Sequence, residues 1–463
     1  MRKFQLTFLL VLLDWIFAAM AWATFFYLRK LVIENEPFVA SKTFILGTIF
    51  IPALWVFIYY LQGTYINVKR LSRFKMLSLH VSATLIGTIF IFFTFLLDDD
   101  IVGYQQYYRS VIVLFATHFT FGLVPRLVFI TVIVSRLHRG INGFKTLMVG
   151  GSEKAVTVLE ELQQLNHKDN DFIGFVNING VDKKLEGQLP YLGHADHLEQ
   201  ILANNVIEEV IIALDSTEHV KLQSILTKID ERNVVIKILP DTYDILSGSV
   251  KTTNIKGALL MEIATENMPI WQQTLKRFLD VAISLIAIII LLPLYIILAL
   301  IVKASSTGPI FFTQERIGLN GKTFQIIKYR TMFVGAEKNG PQLSSSSDPR
   351  ITPIGKFLRK TRLDEFPQFY NVLVGEMSLV GPRPERQFYI DQIVAIEPQY
   401  LHLNKVRPGI TSWGQVKYGY AENVEQMLQR MKYDLLYLKN RTIALDFKIM
   451  LYTILIIFKG AGK

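Results

Sequence analysis

The chain has 463 residues, too many for one ordinary hydrophobic core, so two or more domains are expected. Its net charge of +10 favours anionic partners such as a phospholipid surface or a nucleotide, and a mean hydropathy of +0.32 is high for a soluble protein. The absence of cysteine excludes disulfides and thiolate metal sites.

Four long apolar runs open the sequence, at about 4–28, 43–61, 78–97 and 110–134. Each is close to the roughly 20 residues that a membrane-spanning helix needs. Lysine and arginine precede the first run and follow the second and fourth, whereas three aspartates, 98–100, follow the third. The positive-inside rule therefore predicts a four-helix transmembrane domain over residues 1–140, with both of its ends in the cytoplasm.

Two charged residues, Asp14 and Arg126, lie within these predicted spans at similar depths from the cytoplasmic end. An isolated charge inside a membrane is costly, so one interpretation is that the two side chains form an ion pair. The alternative is that Arg126 extends its long side chain to the membrane surface without a partner. The sequence leaves both interpretations open.

Between residues 141 and 250, short buried strands alternate with helices, beginning with KTLMVGG and SEKAVTVLEELQQL. This alternation predicts a Rossmann-like α/β domain with a doubly wound, parallel sheet. The glycine fingerprint of dinucleotide-binding sites is incomplete, because its three positions are occupied by Gly150, Ser152 and Ala155. A structural or regulatory role is therefore favoured over dinucleotide binding. The following residues, 251–275, are predicted to form a linker.

A fifth apolar segment, residues 278–302, is also long enough to cross the membrane. Both of its flanks are basic, with Lys276 and Arg277 before it and Lys303 after it, so a crossing would violate the positive-inside rule. Pro293, near its middle, would remove a backbone hydrogen bond and kink the helix. We therefore expect a re-entrant helix–break–helix that returns to the cytoplasmic side, with a simple fifth span as the alternative.

The segment 303–440 is basic and rich in glycine turns, and FLRKTRLDEFPQFYNVLVGEMSLVGPRPE places Asp364 and Glu365 among arginines. Arginine binds phosphate oxygens through paired hydrogen bonds, so this composition favours a phosphorylated small substrate at the membrane surface. Nucleic acid is disfavoured, because the chain contains no recognised nucleic-acid-binding motif. A carboxylate can attack phosphorus when Mg²⁺ and basic side chains offset the repulsion between like charges. Acids at a helix start also complement the helix dipole, so these residues alone leave catalysis open.

Residues from about 270 to the end resemble the bacterial sugar transferase family, the polyprenyl-phosphate hexose-1-phosphate transferases. The resemblance is carried by KRFLDVAISL, GPIFFTQERIG, KYRTM, DPRITPIGKFLRKTRLDEFPQFYNVLVGEMSLVGPRPE and RPGITSWGQV. The order of four spans, a Rossmann-like domain and a re-entrant-helix, membrane-associated α/β catalytic domain (276–463) is also similar to that of the large members. Those proteins initiate exopolysaccharide, capsule and O-antigen synthesis.

The resemblance implies a phosphoglycosyl transferase of the bacterial inner membrane that acts on a UDP-sugar and undecaprenyl phosphate, with its catalytic domain in the cytoplasm. Asp364 would attack the sugar-linked phosphate and release UMP, and undecaprenyl phosphate would then take the sugar phosphate from the enzyme. Glu365 would be its partner, and both acids would hold Mg²⁺. The family's substrate-binding positions correspond to Lys328, Arg330, Arg359, Arg383 and Asp434.

Two departures from the family pattern, at Arg362 and at Ser412–Trp413, leave the sugar preference open. An alternative function is a membrane-anchored nucleotide-sugar dehydratase or epimerase. Such an enzyme would use a Tyr-x-x-x-Lys pair, but no tyrosine of residues 141–250 is followed by lysine four residues later. A non-catalytic scaffold for polysaccharide assembly remains as a further alternative, and a homodimer is compatible with the sequence.

Overall fold

The computed structural model describes residues 3–96, 104–164, 168–178, 184–214, 219–230, 234–240, 260–263, 268–336, 340, 342 and 348–458. It divides into two compact units. The first comprises Met1–Asp215, Val235–Ile263 and Pro269–Trp271, and the second comprises Ser216–Val234, Ala264–Met268 and Gln272–Lys463. The first unit contains the N-terminal helices and a six-stranded sheet, and the second contains the acid pair at 364 and 365.

The N-terminal helices are α1 (Lys3–Leu28), α2 (Lys42–Leu61), α3 (Arg73–Ile91) and α4 (Tyr104–His138). Single stretches of π-helix extend α1 over Arg29–Ile33 and α3 over Phe92–Leu96. All four helices are long and apolar enough to cross a membrane, as the sequence predicts. A shared core joins them, and many large apolar side chains remain exposed on their outer faces, which suits contact with lipid.

Asp14 of α1 and Arg126 of α4 form an ion pair inside this bundle. Arg126 Nε lies 2.5 Å from Asp14 Oδ1, and Arg126 Nη2 donates to Asp14 Oδ2 at 2.6 Å. Tyr65 donates to the same carboxylate at 2.6 Å, and the Arg126 guanidinium lies 3.2 Å from the centre of the Tyr59 ring. Both charged residues are almost completely buried. The predicted pairing is confirmed, and the alternative of an unpaired, surface-reaching arginine is wrong.

The sheet of the first unit has the strand order β3-β2-β1-β4-β5-β6. Its strands are β1 (Phe144–Val149), β2 (Asn170–Asn177), β3 (Tyr191–His194), β4 (Glu209–Ile212), β5 (Val235–Ile238) and β6 (Met261–Ile263). Neighbouring strands are parallel except β5 and β6, which are antiparallel. The helices of this region are α5 (Glu153–Gln164), α6 (Leu198–Asn204) and α7 (His219–Asp230), of which α7 is assigned to the second unit. The predicted α/β domain with a mostly parallel sheet is confirmed.

The sheet extends beyond residue 250, the predicted end of the α/β domain. β6 lies inside the predicted linker 251–275, so at least residues 261–263 belong to the sheet instead. A strand of three residues is too short to show a periodicity, which explains why the pattern did not reveal it. Residues 251–259 and 264–267 of the predicted linker lie outside the described part of the chain.

Gly150, the one glycine retained from the dinucleotide fingerprint, is required by the packing of the sheet itself. Its φ is +122°, and a Cβ atom there would lie 2.2 Å from the carbonyl oxygen of Ala213, at the end of the neighbouring strand β4. Backbone proximity of this kind excludes any side chain. This glycine therefore needs no ligand to explain it.

The apolar segment of the second unit consists of α8 (Ile270–Ile290) and α9 (Leu292–Ser305), which are bent by 65° relative to each other. The break falls at Leu291, and Pro293 is the second residue of α9. The first N–H groups of a helix have no intrahelical acceptor, so proline is tolerated at this position. The expectation of a break in this segment is met, and the break falls at Leu291, just before Pro293, because a proline interrupts the helix on its N-terminal side.

Two small sheets lie in the remainder of the second unit. β7 (Phe311–Ile317) and β8 (Thr323–Tyr329) form an antiparallel hairpin, and β9 (Ser378–Val380) pairs in parallel with β10 (Gly409–Thr411). The helices are α10 (Pro353–Thr361), α11 (Gln368–Val374), α12 (Gln387–Ile396), α13 (Trp413–Lys417), α14 (Val424–Lys439) and α15 (Ile443–Phe458). A core that includes Ile317, Tyr389 and Met431 packs α12 and α14 against the end of β7.

Candidate active site

Asp364 and Glu365 lie in one 3₁₀ turn, Leu363–Glu365, between α10 and α11. The helix α10 ends at Thr361 and is followed by its C-cap residue Arg362, whose φ of +56° places it in the left-handed region. A left-handed residue turns the chain away from the helix axis, and any side chain other than glycine or asparagine is strained there. The two acids therefore follow a strained helix end, and both are buried, with exposures of 8% and 6%.

The two acids line a cavity of about 630 Å³. The basic residues that line it are Arg316, Lys328, Arg330, Arg359, Arg383, Arg386 and Arg430. Among the described residues, its acidic lining consists of Asp364, Glu365 and Glu385, so seven positive charges face three negative ones. A concave site with this excess of positive charge is suited to a small molecule with several negative charges.

Glu365 is held as a carboxylate by the basic residues around it. Lys328 Nζ donates to Glu365 Oε1 at 2.9 Å, and Arg383 Nη1 lies 3.7 Å from the same oxygen. Burial acts to raise the pKa of Glu365, but the positive charges of Lys328, Arg383 and Arg362 outweigh this and lower the pKa to about 2. Glu365 is therefore ionised at any physiological pH.

The pKa of Asp364 is shifted upward, whereas the pKa of its neighbour Glu365 is shifted downward. Burial raises the pKa of Asp364 to about 6, against the opposing charges of Lys328 and Arg359 and with the help of the negative charge of Glu365. Adjacent carboxyl groups with well-separated pKa values are typical of catalytic acid pairs. At neutral pH Asp364 is ionised and is the more basic of the two, which is the property that a nucleophile needs.

Three of the predicted phosphate-binding residues surround the acid pair. Lys328 comes from β8, Arg359 from α10, and Arg383 from the loop after β9. Arg359 Nε donates to Thr331 Oγ1 at 2.9 Å, which orients its guanidinium. Burial lowers the pKa of Lys328, while the negative charge of Glu365 opposes that change. The structure thus brings together, from three separate elements, the basic residues that the sequence nominated.

Arg330 and Asp434, the other two predicted substrate-binding residues, are placed differently. Arg330 lines the cavity, but Nη2 donates to Ser306 O at 2.7 Å and Nη1 to Thr307 O, both just after α9. Asp434 does not line the cavity, and its Oδ1 accepts from Gly414 N at 2.8 Å. Burial raises the pKa of Asp434 to about 6. Arg330 ties the cavity wall to the apolar segment, and Asp434 supports α13 and α14 behind the cavity.

Several lining residues were not among the predicted site residues, and Glu385, Arg430 and Tyr420 are three of them. Glu385 accepts from Arg430 Nη2 and lies 3.4 Å from Arg316 Nη1, so it fixes two arginines of the wall. The Tyr420 ring lies 5.2 Å from the Arg362 guanidinium. Two of these residues had a weak sequence signal for a place in the site. Glu385 lies in the GPRPE motif, and Arg430 lies four residues before Asp434, on the same face of a helix. Tyr420 had no such sequence signal.

The acid pair offers two carboxylates that would suit a Mg²⁺ ion. Mg²⁺ is usually bound by one or two carboxylates, with phosphate oxygens and water completing the octahedron. Asp364 and Glu365 both line the cavity and can supply these carboxylates. Within the described part of the chain, no group of three or more acidic, histidine or cysteine side chains could hold a metal. The remaining ligands would therefore come from the substrate and from water.

The fold and this site define a protein that is suited to membrane contact and carries a cationic cavity with a buried acid pair. A family model described as bacterial sugar transferase matches residues 271–460, and one described as a CoA-binding domain matches residues 61–240. A UDP-glucose:undecaprenyl-phosphate glucose-1-phosphate transferase of Klebsiella pneumoniae is 33% identical over 329 residues, which is 69% of this chain and 68% of that protein. The chain belongs to the bacterial sugar transferase family.

Other relatives match over shorter regions. A UDP-N-acetylgalactosamine-undecaprenyl-phosphate N-acetylgalactosaminephosphotransferase of Aeromonas hydrophila is 41% identical over 188 residues, 41% of this chain and 44% of that protein. A UDP-glucose:undecaprenyl-phosphate glucose-1-phosphate transferase of Escherichia coli is 32% identical over 273 residues, 58% of each chain. The matched region thus spans between 44% and 68% of the length of these three relatives.

Proposed function

We propose that this protein transfers hexose-1-phosphate from a UDP-sugar to undecaprenyl phosphate, releases UMP and so initiates the assembly of a polysaccharide. The observation that carries this proposal is the acid pair in its cationic cavity. Asp364 has a pKa raised to about 6 and Glu365 one lowered to about 2, and seven basic side chains share the cavity with them. The names of the relatives from Klebsiella and Aeromonas support the substrate class.

In the first half-reaction, an ionised oxygen of Asp364 attacks the phosphorus that carries the sugar. A bond forms between this oxygen and phosphorus, the bond from phosphorus to the bridging oxygen breaks, and UMP leaves with the electron pair. Negative charge accumulates on the phosphoryl oxygens, where Lys328, Arg359 and Arg383 stabilise it. When bound, Mg²⁺ would be held by Asp364 and Glu365 and would neutralise part of the diphosphate charge.

In the second half-reaction, a phosphate oxygen of undecaprenyl phosphate attacks the same phosphorus, and the Asp364 carboxylate leaves. The product is undecaprenyl-diphospho-sugar, and the nucleophile is regenerated. The cavity has an apolar side where Phe311, Phe312, Phe333 and Val334 are exposed by 41–67%. Such a surface suits the isoprenoid chain of the acceptor, whose phosphate would enter the cationic part.

We also infer that α8 and α9 form a re-entrant segment that keeps the catalytic domain on the cytoplasmic side of the bacterial inner membrane. The 65° bend at Leu291 and the basic residues on both flanks support this topology. The chain has no cysteine, so a maleimide reagent would label only a cysteine that is introduced by mutation. Ser305→Cys should react with a membrane-impermeant maleimide only from the cytoplasmic side, like Gln62→Cys and unlike Ser41→Cys. Labelling of Ser305→Cys from outside would support a fifth span.

The strand order of the sheet supports the proposal of a Rossmann-like domain.

A homodimer is a further proposal, which light scattering of the purified protein would test.

The central experiment is a UMP-release assay with purified protein, undecaprenyl phosphate, Mg²⁺ and a panel of UDP-sugars. We expect release with at least one sugar, and a phospho-hexose mass on the peptide that contains Asp364 when undecaprenyl phosphate is omitted. Release without any such adduct would contradict the covalent mechanism. No release with any UDP-sugar would instead support a different donor or a non-catalytic scaffold.

A further inference from the structure

A second cavity, of about 70 Å³, lies in the same unit and shares no lining residue with the first. It is formed where α8 meets β9, the residues before β10 and the turn between α14 and α15. Its basic lining residues are Lys276, Arg277, Arg407 and Arg441, and Asp280 is its one acidic lining residue among the described ones. A volume of this size is several times the roughly 10–15 Å³ that a single water needs.

The positive charges of this second cavity are incompletely balanced. Lys276 Nζ lies 2.7 Å from Asp446 Oδ2, so this lysine has its own counter-ion outside the cavity lining. Asp280 accepts from Ser378 Oγ at 2.7 Å and from Leu379 N at 3.1 Å. That leaves three arginines facing the one carboxylate of Asp280. An excess of about two positive charges in a partly buried cavity favours an anion.

The donor groups of these arginines have capacity left for a ligand. Arg277 donates to Val372 O at 2.7 Å and to Leu373 O at 3.0 Å, and Arg407 Nε donates to Gly375 O at 3.0 Å. Each guanidinium carries five N–H groups, so these bonds use only part of them. Arg441 Nε is buried and has no hydrogen-bond partner among the residues that the structure describes. A buried donor without a partner is costly, and a bound anion would satisfy it.

We propose that this second cavity binds a phosphate group. Guanidinium groups match phosphate oxygens in pairs, and three arginines around a small cavity offer that geometry. The apolar helix α8 and the apolar helix α15 both start beside the cavity, and exposed side chains such as Phe278 (66%) and Leu451 (63%) follow. The cavity thus lies at the start of the surfaces that suit lipid. The phosphate chemistry is shared by a phospholipid headgroup and by soluble phosphate.

The test is native mass spectrometry of the full-length protein with dioleoyl-phosphatidylglycerol, dioleoyl-phosphatidylcholine or inorganic phosphate, together with thermal shifts. The variant Arg407→Gln/Arg441→Gln removes two of the arginines. Its matched control, Arg136→Gln/Arg139→Gln, removes two exposed arginines at the end of α4. We expect one high-affinity phosphate-bearing adduct on the wild type, at least tenfold weaker in the cavity variant and unchanged in the control.

The pattern across the probes identifies the source of the phosphate. Tight binding of phosphatidylglycerol but not of inorganic phosphate identifies a lipid headgroup, and the reverse identifies a soluble phosphate. Equal binding of every probe by the wild type and the cavity variant would overturn the proposal. If the double variant folds poorly, the exposed Arg407→Gln alone should still weaken binding severalfold, and an unchanged affinity there would be equally decisive. UMP release by this variant separates the outcome from a failure of the proposed catalysis.

Discussion

The membrane bundle and the catalytic cavity both bury charged side chains, but they balance them in opposite ways. In the bundle, Asp14 meets Arg126 in a two-bond ion pair, with Tyr65 as a further donor to the carboxylate. In the described lining of the cavity, seven basic residues face three acids, and the neighbours Asp364 and Glu365 have pKa values of about 6 and about 2. The charges of the ion pair balance each other, whereas the cavity has an excess of positive charge.

This difference separates a structural use of buried charge from a chemical one. In a balanced ion pair, the charges and hydrogen bonds are satisfied within the pair, which leaves little capacity to bind a ligand. Its removal should therefore affect folding more than catalysis. An unbalanced cluster retains unsatisfied charge that an anionic substrate can complete, and it holds one carboxyl group in a poorly solvated, reactive state. Four measurements distinguish these two uses of buried charge.

The largest effect is expected for Asp364→Asn. An amide cannot form the acyl-phosphate bond, so UMP release should fall by at least about 10⁴-fold. The matched control is Asp434→Asn, since Asp434 is also buried with a pKa raised to about 6 but does not line the cavity. A steady-state UMP assay with both variants decides the point. If Asp364→Asn keeps its activity to within tenfold of the wild type, Asp364 is not the nucleophile.

The second effect concerns the ion pair of Asp14 and Arg126 in the bundle. Arg126→Met leaves the buried charge of Asp14 with Tyr65 as a donor but without its counter-ion. It should cost about 3–5 kcal/mol, seen as a large drop in thermal stability and in expression in detergent extracts. The double variant Asp14→Asn/Arg126→Met should recover much of this loss, because no unpaired charge remains. The exchange Asp14→Arg/Arg126→Asp provides a further rescue. Failure of both double variants to recover stability would show that the pair itself is not the source of the effect.

The third effect is a gain of stability in Asp364→Asn. The native state raises the pKa of this carboxyl from 3.8 to about 6, so it binds the proton more tightly than the unfolded chain does. The stability that comes with this proton is present below the unfolded pKa and is lost as the pH rises through about 6. At pH 8 the loss is about 3 kcal/mol. The melting temperature of Asp364→Asn should therefore exceed that of the wild type at pH 8, with a smaller difference at pH 4.5.

The smallest effect is the pH dependence of the first half-reaction. With a pKa of about 6, Asp364 is mostly protonated at pH 5 and mostly ionised at pH 7. The burst of UMP in single-turnover experiments should therefore accelerate about tenfold between these two values. Glu365, with a pKa of about 2, stays ionised over this range and adds no slope. A flat profile would indicate that the nucleophile is not the group with the raised pKa.

Much of the architecture followed from local sequence patterns. The four apolar helices, the alternating α/β elements and the break in the fifth apolar segment are all features of composition and periodicity over short windows. The acid pair and the basic residues Lys328, Arg359 and Arg383 were also predicted from long, ordered motifs, and the structure places all five in the lining of one cavity. The short strand β6 was missed, since a strand of three residues leaves no periodic signal.

Tertiary structure alone decided how the identified residues are used. It tied Arg330 to the carbonyls after α9, placed Asp434 behind the cavity, and added Glu385, Arg430 and Tyr420 to the wall. Pairing across the bundle, the separation of the two carboxyl pKa values and the second arginine cavity depend on distances and burial between residues far apart in the chain. A sequence specifies which groups are present, but solvation and Coulomb energy depend on where the packed chain places them.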